Sequence, residues 1–287
     1  MRTSRRRSSL AIIPLTMILL AGLAAPATAA VTYSTNTPFS VWEVQEADID
    51  NIGGRAKILV KAFHPNMDIV RYLDKAKAYG FKVVVYFQDT VDYNAGKVYP
   101  TRVKPWVDKV KSHSALYGYM SVKEPSWWGV TLAEMRSLYS AYRAADTGHP
   151  VIALLGDTPH FGTSANPWGT GVANELWVDW YPVTYSRGYI GNASIHFPKI
   201  RSYVDKVTPG TPITLSVQGH GNRAGDKRTP TVAEMTRQVR DGFVYLKANG
   251  ISFYTWNNAL YDKDLKRNPT LWGHCKTIVA RVRGGTF

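Results

Sequence analysis

From residue 39 onward the chain alternates two kinds of segment. Short, nearly continuous apolar runs have the pattern of strands buried on both faces. They fall at 39–44, 57–62, 81–87, 116–122, 151–155, 176–183, 213–217 and 251–256. Between them lie longer stretches with apolar residues at helical spacing. The stretch 68–79 is one, and Gly80 stops it. The stretches 131–145 and 231–248 open on Thr131-x-x-Glu134 and Thr231-x-x-Glu234. In that capping box the hydroxyl and the carboxylate satisfy first-turn N–H groups reciprocally. Further helices are predicted at 198–207 and 269–282, after the sixth and eighth strands.

Eight strands joined by helical crossovers are parallel. In a chain of this length they predict an α/β fold, a single (β/α)8 TIM barrel. An open nucleotide-binding sheet would carry a glycine-rich turn after its first strand. Here Trp42-Glu43-Val44-Gln45 follows, and Gly53-Gly54 comes too late. The weakest units are the first, whose helix must be short, and the fifth, where 157–174 is rich in Gly, Pro and Asn and reads as a loop.

The N-terminus changes the picture of where the protein works. Arg2, Arg5, Arg6 and Arg7 precede an apolar run from Leu10 to Leu23, and Ala27-Thr28-Ala29 follows. Positive, apolar, then small-x-small is a secretory leader. Residues 1–29 are therefore expected to be a signal peptide and 30–287 the barrel, secreted to the extracellular side or held at the cell wall. No later segment approaches the roughly 18 apolar residues of a membrane span. The formal net charge is +14, and without the four leader arginines 31 basic residues face 21 acidic ones. The basic residues are dispersed and no nucleic-acid motif is present, so no nucleic-acid partner is expected. Cys275 is the single cysteine and is expected to be buried in the last helix. The seven histidines are scattered without ligand spacing, so neither metal nor cofactor is expected.

In such barrels the chemistry sits at the carboxyl ends of the strands. Glu124 is the sharpest residue there: it ends an apolar strand, and Pro125 stops the ladder. A carboxyl group hemmed by Trp127 and Trp128 could have a raised pKa and act as a general acid. An ion pair with Lys123 is the plainer reading. Asp179 is the first choice for a second carboxylate and Asp157 the second. Strands four and six are not neighbours, so the expected carboxyl gap is the roughly 6.5–9.5 Å of an inverting glycosidase. Around them Trp42, Gln88, Tyr181, Tyr185, Gln218, His220, Tyr254, Trp256 and Asn257 complete the expected binding rim with the two tryptophans. Flat apolar rings beside hydrogen-bonding edges suit the faces of sugars.

Four motifs in order, within about 57–256, carry a family resemblance. They are Leu116-Tyr-Gly-Tyr-Met-Ser-Val-Lys-Glu-Pro125, Trp177-Val-Asp-Trp-Tyr-Pro182, Pro212-Ile-Thr-Leu-Ser-Val-Gln218 with Arg228-Thr-Pro-Thr-x-x-Glu234, and Gly250-Ile-Ser-Phe-Tyr-Thr-Trp256. The chain resembles glycoside-hydrolase (β/α)8 barrels, and the resemblance implies a proton-donor role for Glu124. It departs at Gln218, where the large retaining clan has its nucleophilic glutamate, and at Lys123, where Asn or Asp is usual. It also lacks the spaced fourth-strand aspartates of chitinase-like barrels. The implied activity is hydrolysis of a polysaccharide or cell-wall glycan by a monomer. Two rivals stand beside it: a non-catalytic carbohydrate-binding barrel that has lost its nucleophile, and a cationic structural protein bound to anionic wall polymer.

Overall fold

Eight parallel strands close on themselves: β1 (Phe39–Trp42), β2 (Ile58–Phe63), β3 (Lys82–Phe87), β4 (Leu116–Lys123), β5 (Val151–Gly156), β6 (Glu175–Trp180), β7 (Ile213–Gln218) and β8 (Gly250–Tyr254). Each pairs with its sequence neighbours, and β1 closes the ring by pairing with β8, Phe39 opposite Ile251. The computed structural model describes residues 31–287 apart from 54–55, 157–159, 223–224 and 262. The leader expected at 1–29 lies outside the described residues.

Strand alternation divides the core into two layers. On β2, Ile58, Val60 and Ala62 point inward with Trp42, Tyr86, Met120, Leu154 and Trp177. Leu59 and Phe63, at alternate positions of the same strand, face the surrounding helices. The interior is therefore filled with side chains, and a ligand site can open only at a rim. Each fully buried Leu, Val, Ile or Phe in these layers contributes about 1.5–3 kcal/mol.

The helices follow the sequence signals where a cap fixes them. In α2 (Ile69–Ala78) the Asp68 carboxylate accepts the Arg71 N–H at 3.0 Å. Both expected capping boxes form, at the starts of α5 (Leu132–Ala145) and α7 (Val232–Asp241). The helix expected to run to 248 instead gives way at Asp241 to a wider turn over Gly242–Leu246. A Cβ on Gly242 would meet Leu215 Cδ2 at 2.7 Å, so only glycine lets the helix lie this close to β7. The helix expected from Pro198 begins five residues earlier, as α6 (Ala193–Val207), with Pro198 inside it. Burial of Ala193 and Phe197, the latter 4.9 Å from the Trp180 ring, outweighs the preference of proline for a first turn. The chain also forms α3 (Val103–Val110), and ends on α8 (Pro269–Arg283), which buries Cys275. The first unit has only the single turn α1 (Ile49–Ile52), and among the described residues no helix lies between β5 and β6.

Candidate active site

At the carboxyl end of β4 the chain does something an L-residue resists. Glu124 adopts φ 48°, ψ 56°, the left-handed region, while its N–H still bonds the Leu154 carbonyl at 2.7 Å. That conformation costs about 1–2 kcal/mol for a residue with a Cβ and concentrates at functional sites. Pro125 then starts the short turn α4 (Pro125–Trp128), fixing the backbone on the far side. Glu124 lines a cavity of about 470 Å³ at the barrel mouth, shared with Lys123, Asp179, Tyr181, His220 and Tyr254.

Asp179, near the end of β6, is buried and accepts a 2.8 Å hydrogen bond from the Tyr181 hydroxyl. Its carboxyl group lies within hydrogen-bonding reach of Glu124. The water-wide gap expected from two non-adjacent strands is therefore absent, and the reason lies on the strand between them. The cavity-lining residue of β5 is Gly156, in register with Asp179, and it has no side chain to keep the two carboxyl groups apart.

Burial pushes the Glu124 carboxyl above its usual range, with Lys123 pulling it part of the way back. Asp179 is pushed up further, by burial and then by the negative charge of Glu124. Two touching carboxyl groups in a low-dielectric site disfavour one another's ionisation. The pair holds one proton as a unit across a range where isolated carboxyls have released theirs.

Aromatic rings wall the cavity. Tyr181 stacks on Tyr254 at 5.5 Å, and the His220 ring sits edge-on to Tyr181 at 4.9 Å and 4.0 Å from Tyr261. Burial holds the three tyrosine hydroxyls above their usual range, so all remain neutral donors. Burial also lowers His220 to about 4. Its Nδ1 lies 3.2 Å from the Tyr254 carbonyl. A carbonyl only accepts, so the proton belongs on Nδ1 and Nε2 carries the lone pair.

Of the expected residues, the structure brings Glu124, Asp179, Tyr181, His220, Tyr254 and the 72% exposed Trp127 around this cavity. Asp157 lies outside the described residues. Several expectations need correction. Gln218 is fully buried: its Oε1 accepts the Val183 N–H at 2.8 Å, and its Nε2 donates to the carbonyls of Val183, His220 and Arg228. It ties the rim loops together and has no surface to offer a sugar. Trp256 faces away from the cavity, packed on Trp272 at 5.3 Å with its Nε1 donating to Asp48 at 3.1 Å. Trp42 is buried inside the barrel, edge-on to Tyr254, and supports that ring from below. Gln88 lies in the turn after β3, Trp128 packs on Tyr93, and Tyr185 and Asn257 likewise stand outside the cavity lining.

Tyr261 and Lys227 line the cavity without having been singled out in the sequence, and Asn192, which lines it too, stood out only as the start of an Asn-x-Ser sequon. Tyr261 follows the eighth strand by seven residues, and an aromatic ring in that rim loop was a usable signal. Lys227 sits in a loop with no pattern to mark it. Among the described residues no group of three His, Cys, Asp or Glu is placed to hold a metal ion, and no helix is long and apolar enough to cross a membrane.

No protein-family model matches the sequence, and no curated protein matches it. Solved structures do share the architecture. One is a protein of Bacteroides thetaiotaomicron VPI-5482 provisionally assigned as an α-L-fucosidase, with TM-score 0.57 and 9% identity over 91% of this chain and 98% of that one. Another is the GH99 endo-α-mannosidase of Bacteroides thetaiotaomicron, with TM-score 0.58 and 12% identity over 85% of this chain and 81% of that one. A β-galactosidase from the psychrophilic Marinomonas ef1 aligns with TM-score 0.61 and 10% identity over 86% of this chain, which spans 60% of that enzyme. At such identities the likeness establishes the fold: this chain is a (β/α)8 barrel of the kind found in glycoside hydrolases.

Proposed function

We propose that the protein is a secreted glycoside hydrolase acting on a polysaccharide or cell-envelope glycan, with Glu124 as the proton donor. The observation that carries this reading is the Glu124–Asp179 pair. A pair of carboxyl groups held above their usual range stands in a cavity walled by neutral tyrosines, where strand ends deliver catalytic groups in this fold. Glu124 gives its proton to the glycosidic oxygen as the C–O bond breaks. The negative charge left on the pair faces the cationic character that develops at the anomeric carbon. Water adds to that carbon and releases its proton to solvent, and the pair regains a proton from solvent once the product leaves.

Contact between the two carboxyls gives Asp179 a different part from the one expected of a base across a sugar ring. It holds and tunes the shared proton, and Tyr181 fixes its orientation through the 2.8 Å hydrogen bond. The reading has no carboxylate on β7 to form a covalent intermediate, because Gln218 is committed to backbone groups. Water is then the attacking group, and the anomer first released reads the face from which it attacks.

The test is hydrolysis of a panel of polysaccharides and wall preparations by the wild-type protein and Glu124→Gln, with the first anomer released followed by NMR. Loss of a positioned general acid should cost about 10²–10⁴-fold in rate. The burial of Gln218 also suits the rival binding barrel. Retention on a polymer without turnover, unchanged by Glu124→Gln, would establish that rival in place of the hydrolase.

A further inference from the structure

Of the nine tryptophans, seven are buried and Trp128 packs on Tyr93. Trp127 stands in water, 72% exposed, although it lines the same cavity as Glu124 and the buried Asp179. Its ring therefore forms the outer edge of that cavity. An indole left there forgoes the burial that a tryptophan side chain ordinarily gains.

The backbone beneath the ring is fixed. The Trp127 N–H bonds the Glu124 carbonyl at 3.0 Å, and Pro125 restricts the first residue of the turn. Trp128 anchors the other end, edge-on to Tyr93 at 5.1 Å. The Tyr93 hydroxyl in turn accepts the Lys123 N–H at 3.3 Å, so one tyrosine ties the strand end to the turn. A ligand that covers Trp127 gains apolar contact without having to order the backbone that carries it.

The occupant follows from what stands three residues earlier. A proton donor faces the leaving-group oxygen of the bond it breaks. The next sugar unit lies beyond that oxygen, and it meets the surface beside the donor. Here that surface is the indole of Trp127, on the same turn as Glu124. Further in, Tyr181, Tyr254 and His220 wall the part of the cavity where the other unit sits. A pyranose shows C–H groups on one face, and a flat aromatic ring is their complement.

We infer that Trp127 is the platform for the leaving-group sugar, the unit on the reducing side of the cleaved bond. The preferred ligand is then a chain of at least two sugars, and a single sugar carrying a small non-carbohydrate group lacks half of the contact. The stacking rests on the exposed indole, and its assignment to the leaving side rests on the hydrolase reading.

The experiment is equilibrium binding of α- and β-linked disaccharides of glucose, N-acetylglucosamine, mannose, galactose and xylose. Each is compared with the methyl glycoside of its non-reducing unit in the same anomeric configuration. Binding is measured on Glu124→Gln protein, with and without Trp127→Ala, so that no ligand is consumed. Glutamine keeps the shape and hydrogen-bonding pattern of a protonated glutamate. At least one disaccharide should bind about tenfold or more tightly than its methyl glycoside. That gain should fall below about threefold in Trp127→Ala, with affinity for the methyl glycoside unchanged. The same disaccharide, and not the methyl glycoside, should protect the exposed indole emission from acrylamide quenching. The assignment is overturned if no disaccharide binds better than its methyl glycoside, if the gain persists in Trp127→Ala, or if a bound disaccharide leaves quenching unchanged. Product analysis with Glu124 intact keeps the two readings apart. Disaccharides held through Trp127 but left whole uphold the platform and remove the hydrolase. Cleavage with rate and affinity unchanged by Trp127→Ala upholds the hydrolase and removes the platform.

Discussion

Replacing Asp179 with asparagine should make the protein more stable while it destroys activity. Asparagine is the neutral isostere of a protonated aspartic acid. Its Oδ1 can accept the Tyr181 hydroxyl as Asp179 does at 2.8 Å, and its amide can donate to Glu124. In the unfolded wild type Asp179 releases its proton near 3.8, whereas the folded pair retains one well above that. The folded state then binds more protons than the unfolded state, so stability is fully present below the ordinary carboxyl value. It falls as pH rises, until the folded pair lets its proton go. Each pH unit in that window costs the wild type about 1.4 kcal/mol. The asparagine variant escapes this cost, since it titrates at 179 in neither state. With about 2–4 °C of Tm for each kcal/mol in a domain of this size, the variant should gain roughly 3–6 °C on the wild type per pH unit above about 4. The gain then levels off. Scanning calorimetry of both proteins from pH 4 to 8 reads this directly. Melting curves that stay parallel across the range, or a variant less stable than wild type at every pH, would refute the shared proton.

Three further outcomes follow from the same geometry. Gln218→Glu should restore no retaining chemistry and should unfold more readily, because the new carboxylate would face the three carbonyls that Nε2 now serves. A buried, uncompensated charge costs about 3–5 kcal/mol, a fall in Tm of roughly 6–20 °C by thermal melt at pH 7. Glu234, gripped by both guanidinium nitrogens of Arg228, is held down to about 2. Its stabilisation is present above its ordinary 4.5 and is lost as pH falls toward 2, so Glu234→Gln should lower urea midpoints at pH 6 and flatten that acid limb. Gly156→Ala should leave the fold intact but wedge the carboxyls apart. Activity should then drop while the pH-dependent advantage of Asp179→Asn shrinks in the double variant, and an unchanged advantage would show that glycine does not let the pair meet.

The barrel was legible because strands buried on both faces leave unbroken apolar runs: 57–62 was expected and Ile58–Phe63 is found. The helix α3 was harder to place because Pro100 and Pro105 punctuate its start. Proline is tolerated there, since first-turn N–H groups have no helical partner to lose. At the site, position at a strand's carboxyl end pointed to Glu124 and Asp179, which line the cavity, and equally to Gln218 and Trp256, which do not. From the last ladder residue onward the strict alternation of a strand no longer decides where a side chain points. Trp256 turns out toward Trp272, and Gln218 turns into the loop backbone that it holds together. The carboxyl separation failed for a related reason. Strand adjacency sets how far apart two backbones run, but the residue on the intervening strand sets how far apart their side chains stay. Leu155 ends the apolar run of β5 and the loop read in sequence starts at 157, so the glycine between them was assigned to neither. In the fold it is the last residue of the strand, opposite Asp179, and the absence of its side chain makes two distant carboxylates into one acid.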